Sequence, residues 1–178
     1  GMVSNYLMEK DEHKVISDCL YPPLERYDYA SASPLEGESH NDFKAFKATW
    51  AKMDLAHVFG FPLWEKDVFL LLHRSFAELS SIFTYYAKSG TAGSASAHMA
   101  LTLQKTELTN LALDCGLASD AFPMVRVQNI FERADQEDAD AAGVKKGGDN
   151  ALELHEFLEC VVMLAFFRAC LLYTSDAA

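Results

Sequence analysis

Between Val127 and Phe167 the chain crowds acidic side chains into a glycine-containing turn: Asp135, Glu137, Asp138, Asp140, Asp149 and finally Glu156. A hard divalent cation needs six to eight oxygens, so carboxylates gathered in one turn and closed by a long acid suit its chemistry. Other chemistries fare worse. His155-Glu156 opens a helix as a zinc-protease motif would, but such a motif needs a second His one turn later. The residue there is Glu159. The segment Ser89 to His98 contains Gly90 and Gly93 with no Lys-Ser/Thr after them, so it is a linker and not a phosphate loop. His73 lies near the apolar stripe of a long helical run and reads as structural. No nucleophile and base stand close in sequence, and the expectation is a protein that is not an enzyme.

The elements around the acidic turn define it further. An apolar-faced helix enters and ends at Ala134, and Leu152 sits in a short extended Leu-x-Leu. A second apolar helix then opens at Glu156-Phe157. This order resembles an EF-hand. The resemblance implies Ca²⁺ as cofactor, held by Asp135 as first ligand, Asp149 and a closing bidentate Glu156. It places Leu152 in the strand between paired loops and Asn150 where the family carries Gly. Asn is the next most tolerant residue of the left-handed backbone needed there. Two departures weaken the calcium expectation. Counted inclusively, Asp135 to Glu156 is 22 positions, against about 12 in the family. The excess holds Asp138 and Asp140 but also Lys145 and Lys146, and Gly147 offers no side-chain oxygen.

EF-hands come in pairs, and a second copy lies upstream. Val68, Leu72, Phe76, Leu79, Phe83 and Tyr86 recur at helical spacing. After the glycine-containing linker come Leu101-Thr-Leu103 and then Glu107-Leu108. Aligning Glu107 with Glu156 also aligns Leu103 with Leu152 and Leu108 with Phe157. Between Ala87 and Thr106 there is no acid, so this first hand is expected to bind no calcium. Leu103 and Leu152 are expected side by side in an antiparallel bridge.

The chain has 178 residues, half of them apolar, enough for one domain with a core. Its net charge of −11 disfavours nucleic acid or an anionic membrane as partner. Cys19, Cys115, Cys160 and Cys170 show neither metal-ligand nor disulfide spacing. Cys115 and Cys160 are expected inside apolar helical faces, and a reducing, cytoplasmic compartment follows. Phe157 to Phe167 is too short to span a bilayer and reads as a buried helix.

Residues 1–41, with Tyr21-Pro22-Pro23 and SASPLEGES, read as a flexible arm. Asp42 is the expected N-cap of a helix carrying Phe43, Phe46, Trp50 and Met53. Gly60 and Pro62 end that helix, Gly116 follows the third helix as its C′ residue, and Pro123 takes the first position of the fourth. The last nine residues, CLLYTSDAA, resemble translated sequencing adapter, so residues 170–178 are expected to be a tail never selected to pack. The source would then be a metagenome or transcriptome assembly.

The expected architecture is all-α: an EF-hand-like pair with one preceding helix and a short β bridge. The domain spans 42–169, the first hand 64–117 and the second 120–169. The resemblance, to EF-hand modules of protist proteins, covers about Val68 to Arg168. It implies a protein–protein interaction module that presents an apolar groove to an amphipathic helix. The alternatives are a calcium sensor or buffer working through the second loop, or a structural segment of a larger assembly.

Overall fold

Among the described residues, helical periodicity is realised in five α-helices. The computed structural model describes residues 25–90, 101–135 and 150–175, with side chains to 89 in the first stretch and to 169 in the last. The helices are α1 (His40–Trp50), α2 (Glu65–Gly90), α3 (Lys105–Asp114), α4 (Met124–Ala134) and α5 (Leu154–Ser175). Two-residue strands β1 (Leu103–Gln104) and β2 (Ala151–Leu152) pair antiparallel, Leu103 opposite Leu152. The fold is all-α with a short β bridge, built as two helix–loop–helix units, α2–α3 and α4–α5, preceded by α1.

Each helix buries one stripe. On α4, Val127, Ile130, Phe131 and Ala134 are buried at i, i+3, i+4 and i+7, and this face packs on α5 and α3. The longer α2 turns Phe69, Leu72, Phe83 and Ala87 inward. Helix α5 buries Phe157, Leu158, Cys160, Met163 and Leu164 and half-buries Val161, Val162, Phe166 and Phe167, the pattern of a core helix. Among the described residues no helix is long and apolar enough to cross a membrane. Leu103 and Leu152 are fully buried, so the bridge fuses the cores of the two units into one.

Several boundaries differ from the sequence reading, each for a local reason. The N-cap of α1 is Ser39, not Asp42: the Ser39 hydroxyl accepts from the Asp42 N–H at 3.1 Å and donates to the Asp42 carboxylate at 2.7 Å. Asp42 is the third residue of that helix. Pro123 is the N-cap of α4 and not its first residue. Gly116, with φ of +59°, follows the C-cap Cys115 as expected, and the Leu117 N–H closes on the Ala112 carbonyl. Cys115 is exposed, against the expected burial, because it falls one residue past the end of α3; Cys160 is buried.

The arm from residue 25 onward lies against the domain rather than free of it. Tyr27 and Tyr29 place their rings 5.1 and 6.3 Å from that of Phe69. The Arg26 guanidinium makes three hydrogen bonds of 2.8 to 3.0 Å to Glu65, and the Tyr27 N–H donates to the same carboxylate at 2.9 Å. Of the tail, the backbone continues α5 to Ser175; its side chains lie outside the described residues.

Candidate functional site

Two regions could carry function: the turns at the ends of the bridge, and an apolar face between α2 and α5. Around the second turn, α4 stops at Ala134 and Asp135 caps it. The Asp135 carboxylate, itself buried, accepts the Asn150 N–H at 3.0 Å. Asn150 has φ of +64°, the left-handed value anticipated for its slot, and feeds directly into β2. Glu156 is the third residue of α5 and accepts the Glu153 N–H at 2.6 Å, so it caps its own helix. Of the three expected calcium ligands, Asp135 and Glu156 therefore flank the turn, each with one oxygen on a backbone N–H. Asp149, with Asp138 and Asp140, lies outside the described residues. Among the described residues no three His, Cys, Asp or Glu side chains gather as a metal-binding group.

After the first linker, the flanking residues are placed alike with different chemistry. Glu107 is likewise the third residue of its helix, four positions after the bridging leucine. It is buried, and its Oε2 meets no hydrogen-bond partner. The linker before it, residues 91–100, lies outside the described residues.

His155 is half-buried beside Glu153 and Lys52, with its Nδ1 3.4 Å from the Glu153 carboxylate. Desolvation holds its pKa below the usual 6.5, and Lys52 adds to this while Glu153 opposes it. His73 is a core residue. It stacks on Phe43 and Phe46 at 5.0 and 4.7 Å and meets Glu38 at 2.9 Å. Glu159, which interrupts the apolar run of α5, is buried and accepts the Asp54 N–H at 2.8 Å. It anchors the 51–64 connector to α5.

The apolar face is the second feature, and sequence periodicity did not reveal it. Helix α1 and the connector after it cover part of the surface offered by α2 and α5, with Phe43, Phe46 and Trp50 buried there. Beyond that cover, Val58, Trp64, Val68, Leu71, Val162 and Phe166 line a groove of about 230 Å³. Among the described residues no polar side chain lines it. On or near its rim stand exposed apolar groups: Leu71 at 62%, Leu63 at 70% and Phe59 at 83%. The connector holds its shape through Gly60, at φ of +83°, where a Cβ would press on the Trp64 indole at 3.2 Å. The indole N–H donates to the Phe59 carbonyl at 3.0 Å. Its signal in sequence was the cluster Val58-Phe59-Gly60-Phe61-Pro62-Leu63-Trp64, too apolar for a solvated loop.

Compared with family models, curated proteins and solved structures, the chain matches none.

Proposed function

We propose that this chain is a non-enzymatic, EF-hand-like protein–protein interaction module whose calcium response is weak or lost. The observation that carries this reading is the apolar groove between α2 and α5 with its exposed Phe59, Leu63 and Leu71. A groove without polar lining suits the apolar stripe of an amphipathic helix, which docks through residues at i, i+3, i+4 and i+7. The net charge of −11 favours a helix whose polar face is basic. A cytoplasmic setting fits the unpaired thiols of Cys115 and Cys160. Isothermal calorimetry with a synthetic Leu/Lys amphipathic helix is the direct test. Binding that is lost on Leu71→Glu supports the reading; no heat with any such peptide removes it.

A second reading, a calcium sensor or buffer, draws on the turn after α4. Left-handed Asn150 and the inward carboxylate of Asp135 are the features that favour it. Calcium would supply a hard, doubly charged centre that draws the acids of this turn together. Asp135, Asp149 and Glu156 would hold it. The expected stoichiometry is at most one ion, at an affinity of about 10⁻⁴ to 10⁻³ M. Glu156→Gln should abolish binding while keeping the helix cap, because Gln serves that position as well as Glu. Glu107→Gln should leave calcium binding unchanged. Two sites in a titration, or one indifferent to Glu156→Gln, would overturn this ligand assignment.

A further inference from the structure

We infer that the apolar groove is a seat for the chain's own N-terminal segment, residues 15–20, which competes there with partners in trans. This rests on the groove being a docking surface, as proposed above. The argument begins where the described chain begins. Arg26 is held by three hydrogen bonds on Glu65, the residue after Trp64, and its guanidinium stacks 4.5 Å from the Phe61 ring centroid. Phe61 in turn lies 5.6 Å from Trp64, and Trp64 lines the groove. Arg26 thus stands beside the groove's rim.

The tether's length and chemistry both match. From Leu20 to Arg26 is six residues, or about 20 Å of extended chain, enough to reach across a groove of this size. Within 15–20, Val15, Ile16, Cys19 and Leu20 stand at i, i+1, i+4 and i+5, one apolar face at helical spacing. That face meets a groove whose lining is wholly apolar. A short tether gives the segment a local concentration on the order of millimolar, which a foreign helix or second copy must exceed.

Cys19 lies inside the segment and reports its state. In the full chain carrying Cys170→Ser, thiol modification by Ellman's reagent is followed site by site by mass spectrometry. Exposed Cys115 is the reference, and Cys160 stays silent, because burial pushes its thiol up to about 12. Relative to Cys115, Cys19 should react about tenfold or more slowly than it does in Leu71→Glu or Ile16→Asp. Leu71 is a rim residue, so its substitution leaves the core intact. Equal Cys19 rates in all three proteins would overturn the inference. Titration with the Leu/Lys helix separates it from the parent reading. Ile16→Asp should bind that peptide about tenfold tighter than the unsubstituted chain. Equal binding with an unprotected Cys19 leaves the interaction reading standing and removes the segment. A protected Cys19 with no peptide binding, even in Ile16→Asp, keeps the segment as occupant and removes the partner in trans.

Discussion

Glu65, 1% exposed, carries a charge that must be compensated where it sits, and Arg26 with the Tyr27 N–H does so. Removing the guanidinium would leave a buried carboxylate under-satisfied. Since the Arg26 side chain is itself 61% exposed, water can partly replace it. Arg26→Ala should therefore cost about 1–3 kcal/mol in urea denaturation, and Glu65→Gln added to it should recover part of the loss. Tyr86 behaves differently. Its hydroxyl donates to Asp114 at 2.7 Å, and that bond above all pushes its pKa up to about 12. Ultraviolet titration should show Tyr86 ionising near pH 12, a step absent in Tyr86→Phe and moved toward 10 by Asp114→Asn. His155 makes a third residue-scale case. Its folded pKa lies below the unfolded 6.5, so the unfolded chain takes up the proton first as pH falls. Its contribution to stability is complete above pH 6.5 and is lost as pH falls through the folded pKa. Urea midpoints at pH 7 and 5 should differ less in His155→Gln than in the unsubstituted chain.

At the scale of elements, the bridge is the joint on which the two helix–loop–helix units depend. Two paired residues on each side cannot stabilise a sheet alone, since a two-stranded ribbon is marginal in water. The stabilisation comes instead from burying Leu103 and Leu152 completely. Leu152→Ala should cost about 2–5 kcal/mol. A double-mutant cycle with Leu103→Ala should show a coupling of about 0.5–3 kcal/mol, because the pair shares one cavity. The turn into β2 has its own requirement. Asn150 sits at φ of +64°, where a β-branched side chain is strained. Asn150→Gly should be tolerated, whereas Asn150→Val should cost about 1–2 kcal/mol, measured by the same denaturation. Such a pattern ties the residue to its backbone shape rather than to any ligand.

Taken as a whole molecule, the domain closes part of its apolar surface with its own chain. Helix α1 brings Trp50 edge-on to Phe69 at 5.1 Å and Phe46 at 5.0 Å from the same ring. Trp50→Ala should lower stability by about 3–5 kcal/mol. The urea midpoint should fall with little change in slope, since the surface exposed on unfolding barely alters.

What the sequence determined by itself was local. The helical spacings of α2, α4 and α5, the end of α4 at Ala134, the left-handed Asn150 and the Leu103–Leu152 register all follow from side-chain periodicity and backbone sterics within a few residues. A repeated pattern carried the register across the chain, because two copies of one unit align their own leucines. Tertiary structure decided what depends on distant partners. Tyr27 and Tyr29 looked like part of a free arm, because nothing near them in sequence announces Phe69 and Glu65. Ser39 took the cap that Asp42 was expected to hold, because its hydroxyl accepts the Asp42 N–H and so leaves Asp42 inside the first turn. Glu159 is held within the apolar run of α5 by the Asp54 N–H, which lies 105 positions earlier in the chain. The groove itself exists only where the connector after α1, with Val58 and Trp64, meets Leu71 of α2 and Phe166 of α5 in the folded chain. Periodicity marks which face of a helix is apolar, but which neighbour reaches that face is settled by the packing of the whole chain.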